Sequence, residues 1–179
     1  MGTGVDVSAP ASERPGTLRG KRLALGIALL ITAADLWSKA AVFAALGDHE
    51  RYAVFGSTWL GFTKVLNPGV MWGMGNEYSA YLPYLRTLAA LVVIFMLWST
   101  PVAARLTQCA LGLVLGGALG NIYDGFTIGK VRDFVEVDLD IRWFDPFPIF
   151  NIADSAICVG VGLLVLSILL DRRAPPAPD

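Results

Sequence analysis

Four acidic residues lie inside or beside long apolar stretches of this chain: Asp35, Asp124, Asp133 and Asp154. A carboxylate at membrane depth is costly and needs a partner, water or a function, so each of the four is a candidate for chemistry. Asp154 sits about one turn inside the last apolar run, within FNIADSAI. Asp124 ends the third run, and Asp133 follows it by nine positions. Two carboxylates that converge at a partly dry site can share one proton, because repulsion and desolvation split their titrations. One then acts as acid and the other as base, and the pair can activate water against an amide. Asn67, Asn121 and Asn151 stand next to these acids in sequence and could orient carboxylates or a scissile carbonyl without adding charge. For each asparagine alone a helix-end or turn role is an equal alternative. Asp35 lies deeper, with Lys39 at i+4 on the same helical face, which predicts an internal ion pair.

Other chemistries find little support. The single histidine, His49, lies in a polar loop with no second ligand nearby, which argues for a surface residue and against a zinc site or a histidine-activated nucleophile. Ser38 precedes Lys39, but adjacent helical side chains diverge by about 100° and make a poor dyad. Cys109 and Cys158 fall in apolar runs and read as small buried hydrophobes. Asp138 and Asp140 alternate along a strand-like segment and read as a solvated face. A net charge of -1 offers no basic field for nucleic acid.

The elements that must hold the acids are membrane spans. The chain is 55% hydrophobic and only 16% charged, with a mean hydropathy of +0.58, against roughly one-quarter charged in soluble domains. Apolar segments near 23–46, 81–99, 105–123 and 150–170 each approach the length needed to cross about 30 Å of hydrocarbon. The expected fold is therefore mainly α, a polytopic protein of four transmembrane helices. Arg14, Arg19, Lys21 and Arg22 before the first span, Arg105 between the second and third, and Arg172 and Arg173 after the last place both termini in the cytoplasm. The two longer loops then face outward, and Asp124, Asp133 and Asp154 share the outer membrane edge.

Those loops read as a small sheet. VEVDLDIRW at 135–143 alternates with the period of a half-solvated strand, and 51–66 has hairpin composition, with Gly56 or Gly61 for a turn and Trp59 and Phe62 for the lipid interface. Gly112, Gly116, Gly117 and Gly120 predict close helix approach. Residues 1–20 read as a disordered tail, 21–172 as one membrane domain, and 173–179 as a second cytoplasmic tail.

Asp35-Leu-Trp-Ser-Lys39, Asn67-Pro-Gly-Val-Met-Trp-Gly73, Gly116-Gly-Ala-Leu-Gly-Asn-Ile-Tyr-Asp124, Val131-Arg-Asp-Phe134 and Phe150-Asn-Ile-Ala-Asp-Ser155 occur in the order seen in lipoprotein signal peptidases, and the chain resembles that family over about residues 22–170. The resemblance implies an aspartyl endopeptidase of the bacterial inner membrane that cuts a prolipoprotein signal peptide before its diacylglyceryl-modified cysteine. By the same resemblance Asp133 and Asp154 match the catalytic pair, and Asp35, Lys39, Asn67, Gly69, Asn121, Asp124 and Asn151 match supporting positions. It implies no metal or organic cofactor. The partners it implies are lipidated prolipoproteins and membrane lipid, with globomycin-type inhibitors in the same cleft, acting on a monomeric chain.

Two departures from the family pattern stand out. Gly125 follows Asp124 where the family usually has arginine, and residues 67–72 read Asn-Pro-Gly-Val-Met-Trp in place of Asn-Thr-Gly-Ala-Ala-Phe. Arg132 is a candidate substitute for the missing charge, although neighbours on an extended strand point to opposite faces. The departures keep two alternatives open: a non-catalytic lipoprotein-binding paralogue, and a small proton-coupled carrier in which buried acids relay protons.

Overall fold

The computed structural model describes residues 18–69, 76–138 and 147–171. Residues 1–17 of the expected N-terminal tail, the C-terminal tail, most of the 67–73 motif, and Asp140 with the far half of the expected 135–143 strand lie outside the described residues, while Leu18–Lys21 form a 3-10 turn leading into the first helix. Four helices carry the fold: α1 (Arg22–Ala45), α2 (Leu82–Ser99), α3 (Arg105–Thr127) and α4 (Ile152–Asp171). All four are long and apolar enough to cross a membrane. Pro83 opens α2, where a missing N–H costs nothing, and Thr100, extended before Pro101, ends it.

The third helix is the centre of the bundle. Half of its most apolar window is buried, against 17–22% for the others, and it packs on α1, α2 and α4. Glycine makes this possible. A Cβ at Gly112 would lie 2.7 Å from the Ala24 carbonyl oxygen, and one at Gly116 would lie 2.7 Å from that of Ala28. Gly117 faces the α4 backbone at Ala153, and Gly120 faces the Asp35 carboxylate. Thr32 adds a hydrogen bond from Oγ1 to the Gly116 carbonyl, 3.0 Å. The large exposed side chains of the outer helices include many leucines and valines, with aromatics such as Trp37, Tyr84 and Phe95, an apolar surface suited to lipid.

At one end of the bundle lies an antiparallel sheet of β1 (Tyr52–Ala53), β2 (Leu60–Asn67) and β3 (Val131–Val137), in that order. The hairpin turn falls at Gly56, whose φ is +71°, while Gly61 sits in β2. The third strand starts four residues before the expected alternation. Val131, Asp133 and Phe134 are all buried, so the polar–apolar alternation that marks a half-solvated strand is absent from its first half. Phe62 is half-buried, its ring packing between Tyr52 and Phe134, whereas Trp59 is 55% exposed.

The cysteines also differ from expectation. Cys109 is half-buried and Cys158 exposed on α4, both as free thiols, so Cys158 faces outward from the bundle. His49 is exposed, as its loop position predicts.

Candidate active site

Local structure brings distant residues to the sheet end of the bundle. After α3, Gly129 takes a left-handed φ of +75°, a common way to end a helix, and turns the chain into β3. Asn67 pairs with Val131 in the β2–β3 ladder, so its side chain lies diagonally beside Asp133 on one face. Its Nδ2 donates to Asp133 Oδ2 at 2.8 Å, while its Oδ1 accepts from the Gly69 amide at 2.7 Å.

Asp154 is set by the start of α4. Its amide donates to Asn151 Oδ1 at 2.9 Å, and its Oδ2 accepts from the Asn151 amide at 3.2 Å. This reciprocal capping holds the carboxylate at the helix N-terminus. Phe150 exchanges backbone hydrogen bonds with Val135, and so brings the cap against β3. Asn151 Nδ2 then reaches Asp133 Oδ1 at 2.6 Å and Asn121 Oδ1 at 3.2 Å. Asn121 in turn donates from Nδ2 to Asp154 Oδ1 at 2.8 Å. The two carboxylates are thus joined through neutral amides.

The remaining charges form a separate chain. Lys39 Nζ contacts Asp35 Oδ2 at 2.6 Å and Asp124 Oδ2 at 3.3 Å, with all three side chains fully buried. Lys39 also donates to Asn121 Oδ1 at 2.9 Å. Arg132 grips the other Asp124 oxygen through Nη2 at 2.6 Å and Nε at 3.1 Å, and its amide donates to Oδ2 at 3.0 Å. The order Asp35, Lys39, Asp124, Arg132 alternates in sign and sums to zero, which is how buried charge is tolerated. Asp35 also accepts from the Ala153 amide at 2.9 Å, capping α4. Arg132 therefore serves Asp124 and does not turn toward Asp133. Ser38 donates to the Asp35 carbonyl at 2.9 Å, a bond within its own helix that gives it no nucleophilic arrangement with Lys39.

Asp133 is 2% exposed, and burial pushes its carboxyl up to about 6, against the hydrogen bond from Asn67 and with help from the Asp154 charge. A cavity of about 290 Å³ opens beside the pair between α2, α3 and α4, with Arg86, Asn121 and Asp154 at its polar end. From Arg86 it reaches Val93, about 10 Å along α2 at the helical rise. Arg86 is the residue that reading the sequence missed. It is a cation one turn inside the second span, and the cost argument that singled out the four acids applies equally to it.

Residues 27–170 match the family model described as Signal peptidase (SPase) II. The chain belongs to the signal peptidase II family. It is similar to a protein of Syntrophotalea carbinolica named Lipoprotein signal peptidase, 36% identical over 150 residues that cover 82% of this chain and 90% of that one. A protein of the same name from Pseudomonas aeruginosa is 36% identical over 157 residues, 86% of this chain and 91% of the relative. Among solved structures, a bacterial membrane enzyme determined by the in meso method at 2.3 Å resembles it with a TM-score of 0.76, 25% identity, and coverage of 87% of this chain and 93% of that one. Membership of the signal peptidase II family makes this a peptidase of the bacterial inner membrane, and the four apolar helices agree with a multi-pass protein.

Proposed function

We propose that this chain is an aspartyl endopeptidase that removes the signal peptide from diacylglyceryl-modified prolipoproteins, cutting before the lipidated cysteine, with Asp133 and Asp154 as its working pair. The observation that carries this reading is the pairing itself. Asn151 and Asn121 join the two carboxylates through neutral amides, while the nearby Lys39 and Arg132 are engaged by Asp35 and Asp124.

The raised Asp133 carboxyl suits the acid, and Asp154 the base. Asp154 takes a proton from water as its oxygen attacks the scissile carbonyl carbon, and Asp133 gives its proton to the carbonyl oxygen. The tetrahedral intermediate collapses with loss of the C–N bond. The proton on Asp154 passes to the leaving nitrogen, and Asp133 recovers one from the hydroxyl that becomes the carbonyl. Asp35, Lys39, Asn67, Gly69, Asn121, Asp124 and Asn151 hold the pair in place, and the apolar cavity beside it accepts an apolar part of the substrate. Residues 21–172 act as one membrane domain and as a monomer. Both termini are cytoplasmic and the pair lies at the outer face, where globomycin-type inhibitors would compete with substrate.

Purified protein and a lipidated prolipoprotein test this directly. Asp133→Asn and Asp154→Asn should each lower cleavage by roughly 10²–10⁴-fold, the range of a general acid or base, in protein that still inserts and folds. Normal cleavage by either variant would end the proposal. Gly125 favours one second reading, a paralogue that binds lipoproteins without cutting them; the parent protein would then hold the precursor without turnover.

A further inference from the structure

The charges around the carboxylate pair do not balance within the pair's own surroundings. Asn67, Asn121 and Asn151, which touch the carboxylates, are neutral. Lys39 and Arg132 are held by Asp35 and Asp124. Arg86 alone among these cations forms no ion pair with another described residue, yet it stands at the polar end of the cavity beside Asp154, and the charges acting on it are those of Asp154 and Asp133.

The guanidinium lies against two glycines, and the absence of a side chain at Gly69 leaves it room. A Cβ at Gly69 would lie 2.5 Å from Arg86 Nη2, and a Cβ at Gly125 would lie 3.6 Å from Nη1 and 2.9 Å from Pro83 Cγ. Gly125 is the position where the family resemblance leads one to expect arginine. The guanidinium from α2 thus approaches the end of α3 that a side chain at position 125 would otherwise fill.

We propose that Arg86 is a positioning residue for cleavage: projecting from α2 between Gly69 and Gly125, it supplies the positive charge that stabilises the ionised form of the Asp133–Asp154 pair. An unpaired cation facing two carboxylates favours their ionised states. Among the described residues, the other charged groups around the pair are Asp35 and Lys39 from α1, Asp124 from α3 and Arg132 from β3; β2 presents the uncharged Asn67. Since those four already neutralise one another, removing Arg86 leaves Lys39, itself held by Asp35 and Asp124, as the described cation acting on Asp133. The inference rests on the aspartyl reading above.

The test is the pH dependence of kcat/KM for a lipidated precursor with the full-length protein. In Arg86→Gln, both limbs of the bell should move to higher pH by about half a unit to one unit, a value at the low end for a neighbouring charge because the site is partly open. On the acid limb this reads as cleavage roughly three- to tenfold below the parent, and on the alkaline limb as cleavage above the parent at the same pH. Arg86→Lys should keep the parental profile, since it retains the charge. A profile that does not move in Arg86→Gln, a uniform loss at every pH, an effect confined to KM, or a lysine variant that behaves like glutamine would each overturn the assignment. Failure of the aspartyl reading is distinguishable: Asp133→Asn or Asp154→Asn would then still cleave, whatever Arg86 does.

Discussion

Asn151 holds three parts of the site with one residue. Its Oδ1 caps α4 at the Asp154 amide, its own amide meets Asp154 Oδ2, and its Nδ2 meets Asp133 Oδ1. Asn151→Ala should therefore lower kcat/KM at least tenfold through loss of alignment, while the lost cap alone costs only about 1 kcal/mol. Comparing cleavage with thermal stability in detergent separates the two. The same scale carries a pH prediction. If Asp133 must be protonated to act as the acid, kcat/KM falls as pH rises through about 6, the value to which burial pushes its carboxyl. Asp133 and Asp154 were legible in the sequence because a membrane environment makes any carboxylate conspicuous. The partner of Arg132 was not, since nothing local says whether a strand residue next to Asp133 turns toward Asp133 or, as here, toward Asp124.

At the scale of elements, the site depends on helices meeting closely enough to share ions. Lys39 joins α1 to α3 through Asp35 and Asp124. Lys39→Met would leave the buried Asp35 without its cation and Asp124 with Arg132 alone, with an expected loss of about 3–5 kcal/mol of stability, seen as a lower unfolding midpoint. Gly116→Leu should cost about 1–3 kcal/mol through overpacking, because even its Cβ would lie 2.7 Å from the Ala28 carbonyl oxygen; the same unfolding measurement reads it. The helices were visible as apolar runs, with ends within a few residues of those observed; α3 runs on to Thr127, past the expected 123. The start of β3 was not visible, because a strand buried on both faces at Val131, Asp133 and Phe134 loses the alternation by which strands are recognised.

At the scale of the whole molecule, α3 is the floor on which α1, α2 and α4 lie, and the cavity occupies the space between α2, α3 and α4. The outward placement of the sheet is open to labelling. In a Cys109→Ala, Cys158→Ala background, a membrane-impermeant maleimide added from the outside should modify His49→Cys and leave Ala103→Cys unmodified, since these exposed positions lie in loops at opposite ends of α1 and α2. Equal labelling of both in sealed cells would contradict the positive-inside assignment.

The sequence by itself determined four apolar helices, the acids they carry, and a motif order that points to a peptidase of the signal peptidase II family. These are properties of composition and spacing, which burial in lipid makes readable one segment at a time. Only the tertiary structure decided which charge serves which. Asp35, Lys39, Asp124 and Arg132 close into a neutral chain, Asn151 and Asn121 join Asp133 to Asp154, and Arg86, with no ion pair among the described residues, stands beside Asp154. Coulombic and hydrogen-bond partners are chosen over a few ångströms, and those distances exist only once α2, α3, α4 and β3 have packed.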